Sequence, residues 1–204
     1  MFELFTELLI DTGFQWLIFM IVPVIVYLIF FRKKYKLLHF LGLKRPEKVQ
    51  MNLLVKTLII SSIYVIVVPF WAKKYNMGTD SIQVLMFKQT GPSIQLFLTI
   101  IIQSIIRTSF LEEIVFRGFL INSLRHKFSF SVANHVQAFI FTALHVFAML
   151  NFSILDQALG IASIYLLSIY FGKLMKESNY SIFYSFAFHG ALNIIGDIIL
   201  ISVN

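Results

Sequence analysis

Six long apolar stretches dominate this chain and restrict what it can become. They run near Phe14–Phe31, Leu53–Ala72, Ser93–Leu124, Val132–Leu150, Ile154–Gly172 and Ser181–Val203. Within the usual boundary error, each meets the ~20 residues that a helix needs to cross the hydrocarbon core. The third is too long for one straight crossing, since its 32 residues rise roughly 48 Å at about 1.5 Å each. A tilted or broken helix is expected there, or one whose first turns lie along the interface. The fold class that follows is all-α: a polytopic membrane helical bundle of about six transmembrane helices.

Composition supports this class. Hydrophobic residues make up 58% of the 204 and charged ones only 13%, with a mean hydropathy of +0.83, whereas soluble domains carry about 25% charged residues. Cysteine is absent, which excludes disulfides, thiolate metal ligands and a cysteine nucleophile. The net charge of +7 does not point to nucleic acid, because Lys and Arg cluster in short connections between apolar runs. No repeat, low-complexity tract or second domain is evident, so residues 1–204 read as a single transmembrane domain.

Basic residues also suggest an orientation. Arg32, Lys33, Lys34, Lys36, Lys44, Arg45 and Lys48 lie between the first and second stretches, Arg125 and Lys127 after the third, Lys173 and Lys176 after the fifth. These connections hold eleven basic residues; the opposite side holds Lys73, Lys74 and Lys88. The N-terminal segment (Glu3, Glu7, Asp11) is acidic and lacks the basic region of a cleavable signal. The positive-inside rule then puts the basic loops in the cytoplasm and both termini outside, in a multi-pass cell-membrane protein.

Three short strings put ionisable and polar groups inside these stretches: Glu112-Glu113-Ile-Val-Phe-Arg117, Phe141-Thr-Ala-Leu-His145 and His189-Gly-Ala-Leu-Asn193. Such groups cost about 2.5–3.5 kcal/mol each at membrane depth on insertion scales, so their presence points to function. Residues i and i+4 share a helix face. Glu113 and Arg117 can therefore pair and lower the cost of burying either, leaving Glu112, about 100° away, free for chemistry. Desolvation favours Glu112 as a base. Counted from the cytoplasmic helix ends, Glu112, His145 and Asn193 lie about 12 residues deep, or about 18 Å, with His189 one turn shallower. A carboxylate and a His that activate water, with a His and an Asn facing a developing oxyanion, make a hydrolytic site.

The spacings Glu-Glu-x3-Arg, Phe-x3-His and His-x3-Asn, in this order on separate helices, resemble the CAAX protease and bacteriocin-processing (CPBP, or Abi) family of intramembrane proteases. The most recognisable segment is Glu112-Glu113-Ile-Val-Phe-Arg117-Gly118, and the likeness covers roughly 110–193. It implies a membrane peptidase in which Glu112 and His145 activate a water, His189 and Asn193 stabilise the oxyanion, and Glu113 and Arg117 support the site. Accounts of the family divide between a glutamate-based and a metal-dependent mechanism. Zinc favours three or four N, S or O ligands; Glu112, His145 and His189 could supply three, but a His-Glu-x-x-His pair is missing and Asn193 is a poor zinc ligand. The expected reading uses no cofactor, with zinc as the exception to test.

Other polar residues have plainer readings. Phe141 is expected to pack beside the site, and His39, His126 and His135 to be solvated in or near loops. Arg107 and Asp156 read as interfacial or helix-end charges, and Asp197 as continuing the His189–Asn193 face by one more turn, where a hydrogen bond to Asn193 is the less favoured reading. Gly160, Ala162, Ser163 and Ser168 suit close helix packing. The function expected is an intramembrane endopeptidase acting, without an acyl-enzyme, on a small hydrophobic or membrane-associated peptide. Its partners are that substrate and the bilayer, with no nucleic acid; bacteriocin leaders and peptide pheromones are candidate substrates. A proton-coupled transporter and a non-catalytic self-immunity or partner-binding protein are the other classes, and a Glu112→Gln variant separates them from an enzyme.

Overall fold

The computed structural model describes residues 2–204, and among these no β-strand occurs. Six helices are long and apolar enough to cross a membrane: α1 (Glu3–Phe31), α3 (Met51–Tyr75), α5 (Ile94–Leu124), α6 (Phe130–Met149), α7 (Ile154–Glu177) and α8 (Phe183–Val203). Two short helices lie in the connections, α2 (Leu37–Phe40) and α4 (Ile82–Thr90). Neither is apolar or long enough to stand out in a hydropathy reading. The first span starts eleven residues earlier than the apolar pattern suggests, because Glu3, Glu7 and Asp11 are themselves helical. Of these, Glu3 lies in the first turn, where an acidic side chain is favourable at the positive end of the helix dipole.

Helix ends follow local chemistry. The Ser93, Ser129 and Ser153 hydroxyls cap α5, α6 and α7, accepting from the backbone N–H groups of Leu96, Val132 and Asp156 and so satisfying otherwise orphaned donors. At its far end α3 stops on Asn76, whose positive φ of 51° closes the left-handed C-cap that asparagine tolerates.

The long third span is a single helix with an altered pitch. Ile102–Phe110 and Glu113–Ile121 form wide i→i+5 turns, a form often found at functional sites. Thr108 and Ser109 add to this register, donating their hydroxyls to the carbonyls of Gln103 and Ser104 five residues back. α5 packs against α1, α6, α7 and α8 and is the axis of the bundle. α1 is peripheral: 6% of its most apolar window is buried, against 44% for α7.

The connection after α1 folds back onto this axis. Phe40 and Leu41 join Ile114, Phe119, Ile121, Ala133, Met175 and Ile182 in one apolar cluster. Asn122 donates to the Phe40 carbonyl at 2.7 Å, and the Leu41 carbonyl lies where a side chain on Gly118 would stand. The glycine of the Glu-Glu-x3-Arg-Gly string thus permits a close approach of two backbones.

Arg107 is not at a helix end; it lies within α5 and reaches α1, donating to Gln15 at 2.9 Å and standing 3.8 Å from Asp11. His135 lies in the second turn of α6, near the preceding loop and exposed as expected, with its Nδ1 2.7 Å from the Tyr165 hydroxyl. Asp156 is at a helix end, as expected. There it accepts from Trp71, Lys74, Tyr75 and Ser153 and fastens α7 to the end of α3.

Candidate active site

Glu113 and Arg117 form the buried base of the site. Both side chains are fully buried, with Nη1 of Arg117 3.1 Å from Oε1 of Glu113. That is ion-pair distance, although Nη1 is outside hydrogen-bond geometry, so attraction between charges rather than an aligned hydrogen bond holds the two together. The guanidinium lies 4.5 Å from the Phe141 ring and 5.3 Å from the Phe171 ring, a position in which the π faces offset part of its desolvation. Its Nη2 donates to the Ser168 hydroxyl at 3.1 Å, and Ser168 donates in turn to Gln137. Ser168 looked like a small packing residue in the sequence; its place under Arg117 depends on how α7 sits against α5, which no local pattern reports.

His189 joins this base to the other glutamate. Its Nδ1 is 3.0 Å from Oε1 of Glu113 and its Nε2 3.5 Å from Oε2 of Glu112. An ionised carboxylate only accepts, so Nδ1 carries the hydrogen in the contact with Glu113. Nε2 is left facing Glu112 with no hydrogen bond between them, since Oε2 of Glu112 has no partner. The two glutamates therefore differ as their spacing predicts: Glu113 is bound to Arg117 and sealed, while Glu112 has 15% of its side chain exposed. What spacing did not reveal is that His189 touches both.

His145 and Asn193 complete the cluster. Nδ1 of His145 lies 2.7 Å from the Phe141 carbonyl one turn back on α6. A carbonyl only accepts, so that nitrogen carries the hydrogen and, in the neutral ring, Nε2 keeps its lone pair. Asn193 donates one amide hydrogen to the Ser109 hydroxyl at 3.0 Å, leaving the other N–H available. His145, His189, Asn193 and Phe141 line one cavity of about 90 Å³, closed by Tyr64 from α3 and Phe171 from α7. Phe141 packs there as expected, against Phe116, His145 and Arg117. Asp197 does not reach Asn193; it accepts from Gln83 and Ser104 instead.

The donor set does not fit a zinc site. Among the described residues no three His, Asp or Glu side chains converge closely enough to share a metal ion.

The sequence model of the type II CAAX prenyl endopeptidase Rce1-like family matches residues 93–195, just over half of the chain. The chain belongs to that family. The match opens on the serine that caps α5 and closes two residues past Asn193, so it takes in every helix that supplies the polar cluster and leaves α1 to α4 outside. No curated protein and no solved structure matches the chain. Membership makes the protein a CAAX-type membrane endopeptidase, and its six apolar helices make it a multi-pass one.

Proposed function

We propose that this endopeptidase hydrolyses a peptide bond in a small hydrophobic or membrane-associated peptide, using a water activated by Glu112 and His145. His189 and Asn193 hold the charge that develops on the carbonyl oxygen. The observation that carries this reading is the polarity gradient across His189: a sealed Glu113–Arg117 pair on Nδ1 and the more open Glu112 on Nε2.

As the water attacks the carbonyl carbon, its proton passes to Glu112, the carboxylate that has no arginine holding it. His145 is the nearby group whose free Nε2 can take or return a proton, since its Nδ1 is occupied by its own helix. The oxyanion then needs donors already in place. The spare amide N–H of Asn193 is one, held in orientation by Ser109. The Nε2–H of His189, when the ring carries both hydrogens, is the other; the oxyanion takes over from Glu112 as its counter-charge, since Glu113 is already paired with Arg117. Proton delivery to the leaving amine from Glu112 completes hydrolysis without an acyl-enzyme.

A hydrophobic substrate is supported by an apolar groove of about 540 Å³ between α3 and α8, lined by Leu58, Val65, Phe188 and Ile195 among others. Leu192 lines both this groove and the polar cavity. A peptide embedded in the bilayer can thus lie against apolar side chains and still reach the polar cluster. Bacteriocin-type leaders and peptide pheromones have this character.

The test is cleavage of a hydrophobic reporter peptide by purified protein in detergent. Wild type is expected to cut in the presence of a strong chelator and to carry no stoichiometric zinc, while Glu112→Gln loses about 10²–10⁴-fold in rate, the scale of a removed general base. A folded Glu112→Gln variant that cleaves like wild type removes Glu112 from the chemistry. Zinc at one per chain, lost together with activity in His145→Ala, defeats the glutamate–histidine mechanism. A wild type that cleaves nothing leaves the family fold with a binding role.

A further inference from the structure

Asp197 is a buried carboxylate for which the site has no use. It lies in the span α8, retains only 9% exposure, and accepts from two neutral donors, Gln83 of α4 at 2.8 Å and Ser104 of α5 at 2.5 Å. Among the described residues no Lys, Arg or His forms an ion pair with it. An ionisable group at membrane depth without a counter-charge is costly unless it borders water. A cavity of about 200 Å³ borders Asp197, lined also by Ser104, Thr108 and Gly196. At about 30 Å³ per molecule, the liquid value, that is room for several waters. Two residues, Asn193 and Tyr64, line both this cavity and the polar pocket of the site. At its other end the cavity reaches Met77 and Leu200, next to the termini of α3 and α8. These termini share the face that carries Lys73, Lys74 and Lys88.

We propose that the Asp197 cavity is an aqueous vestibule, opening on the Lys73–Lys88 face, through which water reaches the buried site past Asn193 and Tyr64. The water-supply role rests on the hydrolytic function proposed above; the wetness of the cavity does not. The competing view is that Asp197, Ser104 and Gln83 are only a polar strut between helices, in a space that stays dry.

The sequence offers a clean probe, because it contains no cysteine. Gly196 lines the cavity, and a Cβ added there meets no atom within 4 Å, so Gly196→Cys places a thiol in open space without strain. Two reference variants frame it. Asp80→Cys puts an exposed thiol on the loop of the same face, and Gly13→Cys puts one on the exposed side of α1, also with nothing within 4 Å. The protein is reconstituted in sealed vesicles and treated with a membrane-impermeant cationic methanethiosulfonate, which consumes the thiolate that forms only where water is present. From the side on which Asp80→Cys reacts, Gly196→Cys is expected to react at least about tenfold faster than Gly13→Cys. A second variant tests supply: Gly196→Leu fills the cavity and is expected to lower kcat about tenfold at unchanged KM, the mark of a step after substrate binding. Reactivity of Gly196→Cys no greater than that of Gly13→Cys, or reaction only from the opposite side, overturns the vestibule. Normal labelling of Gly196→Cys together with wild-type kcat in a folded Gly196→Leu overturns the supply role. A wild type without peptidase activity leaves the labelling result intact, so the two proposals fail separately.

Discussion

Adjacent glutamates on one helix have different physical lives here, and stability measurements separate them. Glu113 and Arg117 are each fully buried and each is the other's compensating charge. Removing one partner of such a pair strands the other, which costs about 3–5 kcal/mol. Glu113→Ala and Arg117→Ala are therefore expected to lower both thermal stability in detergent and the yield of folded protein. Ser168→Ala removes one hydrogen bond to the guanidinium and is expected to cost less, about 1–3 kcal/mol. Glu112→Gln is close to isosteric and deletes a charge whose Oε2 has no hydrogen-bond partner, so its melting temperature is expected to hold or rise. A large stability loss in Glu112→Gln with none in Glu113→Ala would exchange their roles. The pairing of Glu113 with Arg117 was legible because it is local, one turn of one helix. The bridge through His189 and the seat of Arg117 on Ser168 were not, since both depend on where α7 and α8 come to rest against α5.

At the scale of elements, the wide turns of α5 and the fold-back of the first connection govern how the motif is presented. Length showed that Ser93–Leu124 exceeds one straight crossing, but the break it allowed for is not there: Ile94–Leu124 is one continuous helix. Nor did length announce i→i+5 turns, because the hydrogen-bond register of a helix leaves no mark in hydropathy. Likewise, α2 escaped notice: its four residues are ordered by packing of Phe40 and by the Asn122–Phe40 bond rather than by propensity. Gly118 reports on this contact. A Cβ there runs into the Leu41 backbone, which, unlike a flexible side-chain end, can yield only if the connection shifts. Gly118→Ala is thus expected to destabilise by about 1–3 kcal/mol, the range for overpacking a filled site. Gly13→Ala, in the open, is expected to be neutral or stabilising by up to about 1 kcal/mol through helix propensity. Thermal melts of both variants check the contrast, and equal effects at the two positions would remove the close approach as the reason for a glycine in the motif.

For the whole molecule, charge bias and helix count make a joint statement that neither makes alone. Six spans put both termini on one side, and the basic residues fall eleven to three on the other, in the connections after α1, α5 and α7. If the basic side is cytoplasmic, as the positive-inside rule requires, the N- and C-termini face outward. The folded first connection does not weaken this, because its apolar residues pack onto the cluster around Ile114 and Ile182 while Lys33, Lys34 and Lys36 stay exposed. Reporters fused after Arg45, Lys127 and Lys176 are expected to read cytoplasmic, and one after Asn204 external. Reversing the bias gives a sharper test. Replacing Lys33, Lys34, Lys36, Lys44 and Arg45 by Gln while adding Lys to the loop after α3 is expected to lower the fraction correctly oriented, since short-loop Lys and Arg set orientation. A C-terminal reporter that reads cytoplasmic, with the Arg45 reporter cytoplasmic and the Lys127 and Lys176 reporters external, would mean an odd number of crossings, and the short α4 between α3 and α5 would be the extra one; reversal of all four reporters would instead mean six crossings in the opposite orientation.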